Sequence, residues 1–376
     1  MIELDPPLRA LRDQCRDAAT DLRSRALSVD VDPEDMTGHL DSPALAMVRA
    51  ASTPKRFQDP SGWQGEYTDS CLSRAVASLE LACGDAGLLT ANTGPALAGI
   101  AVDALGSEAQ QQFFYESIAD GRTWTFFAMT EDARGSDATA METRLDADPD
   151  GDYRLFGAKR YVGNGSRGAT GVVFARTGRS PLSIRAAILS CPTPGFAGHA
   201  LEMTGLRGAR ISELSFDGVH VPREMLLGAH LPASRRGIWG ASRTFNVMRI
   251  QIAAMALGVA FAARDYVCEQ RPGWSGHELT TARLAAARAL LYDAANEVDL
   301  SPDDRRTPSI AKLHATDLAV HVTGWAANAL GPGSLLLHPL LEKWCRDVRA
   351  FEFMDGTSNI LRLHITHGIA TRRPTS

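Results

Sequence analysis

Lysine is scarce in this chain: Lys55, Lys159, Lys312 and Lys343 are the only lysines among 39 basic residues, and the rest are arginine. The basic residues form no block and the net charge is −5, so no surface for tracking nucleic-acid phosphates is expected. Cysteine is sparse as well. Cys15, Cys71, Cys83, Cys191, Cys268 and Cys345 show no CxxC pair and no regular spacing, which argues against a zinc site or a disulfide framework, and no metal is expected. Long apolar runs are missing: the longest, residues 252–263, is too short to span a bilayer, and the N-terminus has acidic residues without a hydrophobic signal region. These absences predict a cytoplasmic protein with neither a membrane nor a nucleic-acid partner.

What is present suits packed subdomains. With 376 residues, 44% of them hydrophobic and 22% charged, the chain is long enough for two or three cores. Residues 8–27 carry a one-faced helical pattern, 67–90 read as a buried helix after a Gly62–Gly65 turn, and Ser107 caps a helix over 108–119. Near residue 125 the apolar period changes from 3.6 to 2. Short β-prone runs at 125–129, 143–147, 153–156, 171–176, 185–189, 211–216 and 219–221 alternate with Gly, Pro and Asp turns. After Gly237 helical spacing returns over 245–267, 280–298, 309–330, 341–353 and 359–370. The predicted class is α+β: an N-terminal helical domain (1–124), a middle antiparallel β-barrel or sandwich (125–230) and a C-terminal four-helix bundle (231–376).

One stretch of the bundle stands out. In Phe351-Glu352-Phe353-Met354-Asp355-Gly356-Thr357 a carboxylate sits among apolar side chains, where desolvation disfavours its ionised form. Such an aspartate either caps a helix, is paired, or is tuned upward as a proton acceptor.

Four phrases, in order, resemble the acyl-CoA dehydrogenase family. They are Met129-Thr130-Glu131-Asp132-Ala133-Arg134-Gly135-Ser136-Asp137, the run Gly157 to Gly165, the run Gly195 to Pro222 that includes Thr204-Gly205-Leu206-Arg207-Gly208, and Asp355-Gly356-Thr357. The resemblance runs from about residue 66 to the end and implies the three-part fold just described. It also implies FAD, held between the β-domain and the bundle. Met129 and Thr130 would meet the flavin edge and Ser136 the diphosphate. Tyr161 stands for the family's usual Trp beside the flavin, and Gly163 for a Thr or Ser whose hydroxyl approaches flavin N5. Thr357 and Asn359 are further implied cofactor contacts. Arg271, Trp274, Gly331 and Gly333 match segments through which one subunit completes its neighbour's FAD site, so the resemblance implies a homodimer or homotetramer.

For substrate, Asn246 and Arg249 match the "FDxxR" phrase that touches the pantetheine or nucleotide part of CoA, with Asn in place of Asp. Met354 and Gly356 flank the acyl pocket. The implied reaction moves the α-proton of an acyl thioester to a carboxylate while the β-hydrogen leaves as hydride to the flavin. Met248 fills the alternative family position for the base, which leaves Asp355, one methylene shorter than the family's Glu. Three readings follow: a dehydrogenase acting on an acyl thioester of CoA or a carrier protein in bacterial secondary metabolism, a flavin monooxygenase or oxidase, and a flavoprotein without catalysis. The electron acceptor is correspondingly an electron-transfer flavoprotein or oxygen.

Overall fold

The computed structural model describes residues 2–59 and 70–371; the Gly62–Gly65 turn and the expected helix start at 67 lie outside them. Six helices come first: α1 (Pro6–Val31), α2 (Pro43–Ser52), α3 (Cys71–Ala82), α4 (Ala86–Ala91), α5 (Ala96–Leu105) and α6 (Glu108–Glu116). The expected single helix over 67–90 is two, because Asp85 accepts from the Leu88 N–H at 2.7 Å and starts α4 afresh. A side chain at Gly84 would collide with the Ala19 carbonyl, so α1 passes close to that break. Ser107 and Gln110 form the reciprocal capping box of α6.

The middle segment is a seven-stranded curled sheet of β1 (Thr125–Ala128), β2 (Arg144–Ala147), β3 (Tyr153–Val162), β4 (Thr170–Arg176), β5 (Ile184–Ser190), β6 (Phe196–Ala200) and β7 (Ser212–Val221). It is mixed rather than wholly antiparallel, since β1 and β2 each pair with β4 in parallel. The two expected runs at 211–216 and 219–221 are one strand: Gly218 at φ +69° is accommodated as an irregularity opposite Leu155 and Phe156.

The C-terminal part holds α7 (Ile238–Gln270), α8 (Glu278–Leu300), α9 (Arg306–Leu330), the short α10 (Ser334–Leu337), α11 (Pro339–Ala350) and α12 (Ser358–Thr371). Among the described residues, one helical stretch, Ala233–Gln270, is long and apolar enough to cross a bilayer, but 83% of its apolar window is buried inside the fold. It is the bundle's central helix. Ala, Met, Val and Leu line α7 on all sides, and Gly258 lets it touch the Leu79 carbonyl of α3.

Two long-range polar contacts lock the parts together. Asp299 of α8 accepts from the Cys71 and Leu72 N–H groups and so caps α3 from across the bundle. Lys343 of α11 donates to Asp85 at 2.5 Å and to Asp347 at 2.6 Å, and Asp347 accepts from the Leu206 N–H at 2.6 Å. That buried triad ties the N-terminal helices, the β-domain and α11 at one point.

Candidate active site

Between α11 and α12 the chain makes a sharp turn with Asp355 at φ +48° and Gly356 at φ +106°. Aspartate tolerates the left-handed region better than most residues, whereas the φ of Gly356 suits only glycine. The cap of α12 comes from Glu352, whose carboxylate accepts from the Ser358 N–H at 2.9 Å and from its hydroxyl at 2.5 Å. This corrects the capping alternative for Asp355. Among the described residues no hydrogen bond reaches the Asp355 carboxylate.

Two cations face that turn. Arg249 of α7, only 4% exposed, donates from Nε to the Asp355 carbonyl at 3.1 Å and from Nη1 to Asn246 Oδ1 at 3.1 Å. Lys312 of α9, fully buried, donates to the Gly356 carbonyl at 2.6 Å. Burial pushes the Asp355 carboxyl up to about 6, against the pull of Lys312 and Arg249. Burial likewise takes Lys312 down to about 8 and Arg249 to about 10, with the Asp355 charge opposing both. Asn246 is fully buried, and its amide also donates to the Pro302 carbonyl at 2.9 Å. It lies behind Arg249 and orients that guanidinium. Met354 is half-buried against the bundle core.

The β-domain contributes the facing wall. Lys159, 1% exposed, donates to the Met129 carbonyl and to Glu131, both at 2.9 Å, while Glu131 accepts from the Glu142 and Thr143 N–H groups. The Met129-Thr130 main chain is therefore pinned from inside, and the Arg160 N–H adds a bond to the Thr130 carbonyl at 2.8 Å. Tyr161 stands beside it at φ +60° and is 57% exposed. At Gly163 an added Cβ would meet nothing nearer than the Ala209 carbonyl at 4.0 Å. A rigid main-chain edge, an open glycine and an uncovered aromatic ring fit a flat ring system laid against the sheet. The Phe127 and Phe245 rings, 5.7 Å apart, join this wall to α7 one turn before Arg249. Tyr161 and Asp355 are both non-glycine residues at positive φ. Ser136 lies exposed on the loop beyond, and Thr357 and Asn359 open α12.

Arg271 and its neighbours form a separate group, roughly 33 Å farther along α7 than Arg249 at 1.5 Å per residue. Arg271 donates to the Ala329 carbonyl at 3.0 Å and lies over the Trp274 ring, which stacks on Trp325. Ala329 leads into Gly331 at φ +94° and on to Gly333. These four expected contacts come together, away from the turn at Asp355 in the same chain.

Lys312, Lys159, Glu352 and His364 were not singled out by the sequence. His364 is half-buried: burial, with Arg249 and Arg305 close by, takes its ring down to about 4, and its buried Nδ1 has no partner among the described residues. The scarcity of lysine was the signal that could have drawn attention to the first two.

The chain matches the acyl-CoA dehydrogenase middle domain over residues 126–219 and the acyl-CoA dehydrogenase C-terminal domain over 235–370. It is 32% identical to an acyl-CoA dehydrogenase of Bacillus subtilis over 280 residues, covering 69% of this chain and 72% of that protein. A short-chain-specific acyl-CoA dehydrogenase of Megasphaera elsdenii is 29% identical over 373 residues, covering 94% and 96%. The structure of butyryl-CoA dehydrogenase from Megasphaera elsdenii superposes with a TM-score of 0.85 at 26% identity, covering 98% of this chain and all of that one.

Proposed function

The chain belongs to the acyl-CoA dehydrogenase family and is an FAD-dependent oxidoreductase, and from that premise we propose that it dehydrogenates an acyl thioester with Asp355 as the proton acceptor. The observation that carries this reading is a carboxyl relieved of capping, facing Arg249 and Lys312, and raised to about 6. A base with that affinity is ionised at neutral pH yet retains enough affinity to take an α-proton. In this reading the Asp355 carboxylate accepts that proton, and the Asp355 main-chain N–H would donate to the thioester carbonyl as charge develops. Bound FAD supplies the acceptor for the β-hydride. Met129, Thr130, Tyr161, Gly163, Ser136, Thr357 and Asn359 are the residues that would hold it, and Met354 and Gly356 would shape the acyl end. The division at 124 and 230 is part of the same proposal, with the cofactor between the second and third segments.

The separation of Arg271 from Arg249 along α7, with Arg249 bonded to the Asp355 carbonyl, supports a homo-oligomer in which Arg271, Trp274 and the Gly331–Gly333 loop serve a neighbour's FAD. Leu336, Leu337 and Phe353, each more than 70% exposed, supply apolar surface for that contact. Arg271→Ala is expected to lower FAD content and to leave the helical fold intact; flavin absorbance per chain, measured beside sedimentation, checks it. A fully flavinylated monomer contradicts the shared site.

Gly163 favours a second reading, since a missing hydroxyl beside the flavin leaves room for oxygen. The test is anaerobic flavin bleaching against a panel of thioesters on both CoA and carrier protein, repeated in air. Bleaching by a saturated thioester with the enoyl thioester as product supports the dehydrogenase. Turnover that consumes oxygen and yields an oxygenated product supports a monooxygenase instead. The same panel identifies the acyl group and carrier, and with them any role in secondary metabolism.

A further inference from the structure

Three of the four lysines of this arginine-rich chain are buried; Lys55 alone is exposed. Lys159, Lys312 and Lys343 are each no more than 1% exposed, and burying an ammonium group is costly unless it is paired. Lys159 is paired with Glu131 at 2.9 Å, and Lys343 with Asp85 and Asp347. Lys312 is different. Among the described residues its Nζ is bonded only to main-chain carbonyls, that of Gly356 at 2.6 Å and that of Glu352 at 3.4 Å. Those two carbonyls bracket Asp355, and Arg249 takes the third carbonyl of the same turn, that of Asp355 itself.

A compact ammonium with three donors suits this place better than a planar guanidinium, because the carbonyls converge on one point rather than presenting a fork. We propose that Lys312 is a positioning residue for the proton acceptor: by gripping the Glu352 and Gly356 carbonyls it fixes the strained turn that carries Asp355, and it sets one of two positive charges against that carboxylate. The inference rests on the reading of Asp355 as the base. Of the charged groups around the turn, Arg249 comes from α7, Lys312 from α9 and Glu352 from just beyond α11, while the Arg305 charge acts on Arg249 and both arginines act on His364 of α12.

The left-handed φ of Asp355 is a conformation that a free chain seldom holds, so carbonyl anchors on both sides of it have a definite task. Removing one anchor should loosen the turn, and removing the charge should raise the affinity of Asp355 for its proton. Lys312→Met removes both; Lys312→Gln removes the charge but keeps an N–H donor.

The experiment follows anaerobic flavin reduction by a saturated acyl thioester against pH in the parent, Lys312→Met, Lys312→Gln and Asp355→Asn proteins. It is paired with hydrogen exchange of the 351–361 peptide and with thermal unfolding. The profile midpoint is expected to move up by about one pH unit in both lysine variants. The limiting rate at high pH should fall roughly tenfold to a hundredfold in Lys312→Met, with less change in the concentration of thioester needed for half-saturation. Exchange of the turn should quicken in Lys312→Met and stay close to parental in Lys312→Gln. Parental midpoints in the folded variants, with unchanged exchange, overturn the proposal; if Lys312→Met does not fold, Lys312→Gln decides on its midpoint. Asp355→Asn separates the two ideas, because parental reduction in that variant ends the base reading, whatever the lysine variants do.

Discussion

Asp355→Asn is expected to keep FAD and fold while slowing flavin reduction by substrate about a thousandfold, within the range for loss of a general base. Asn conserves shape and the turn's carbonyl bonds to Arg249 and Lys312 but has no proton affinity. Stability should not suffer. The folded carboxyl holds its proton up to about pH 6, whereas an unfolded Asp releases it near 4, so ionisation penalises the native state. That penalty is absent below about pH 4, grows between about 4 and 6 and is complete above 6. At pH 8 the Asn protein should therefore unfold at a temperature no lower than the parent. In the parent the reduction rate should rise with pH through about 6, and this inflection should vanish in the Asn protein. Asp355→Glu extends the arm by roughly 1.5 Å. With the backbone held on three carbonyls the chain cannot retreat to absorb that length, so a loss of about ten- to a hundredfold is expected. Faster reduction in the Glu protein means that the aspartate arm is too short for its task.

Lys343→Met is expected to destabilise the protein by about 3–5 kcal/mol, because it leaves Asp85 and Asp347 buried without their counter-ion. Those two carboxylates hold the lysine ammonium above its ordinary range, while burial and the Asp347 charge push Asp85 upward. The loss should spread beyond α11, since Asp85 starts α4 and Asp347 anchors the Leu206 N–H in the β-domain. Urea unfolding monitored by far-ultraviolet dichroism reads the effect. Adding Asp85→Asn should recover part of the loss by removing one of the two stranded charges, a non-additivity expected of groups in one network. A Lys343→Met protein as stable as its parent contradicts the assignment of the triad as the joint between the three parts.

Much of the architecture was legible because period and punctuation agree. The switch from 3.6 to 2 near residue 125 and back after Gly237 marks the sheet, and the bundle helices fall where apolar spacing put them. The misplacements have local causes. Asp85 restarts a helix inside an unbroken apolar pattern, and β6, over Phe196–Ala200, pairs along β7 without a strong alternation of its own. The site was legible where residues match family phrases, and illegible where function depends on what a side chain meets across the fold. Asp355 lies in a recognisable phrase, yet its release from capping depends on Glu352, and its electrostatics on Arg249 and Lys312, helices apart in sequence. Asn246 shows the reverse: it occupies the expected position but is turned to the Pro302 carbonyl and Arg249.

The proton-transfer step itself can be watched without hydride transfer. An acyl thioester with sulfur in place of the β-carbon has acidic α-hydrogens but no β-hydrogen to lose, so any exchange of its α-deuterium for solvent protons reports the base alone. The parent FAD-loaded protein is predicted to wash out one α-deuterium, faster as pH rises through about 6, and the Asp355→Asn protein to leave it in place. Wash-out by the Asn protein at the parental rate contradicts the assignment of Asp355 as the proton acceptor.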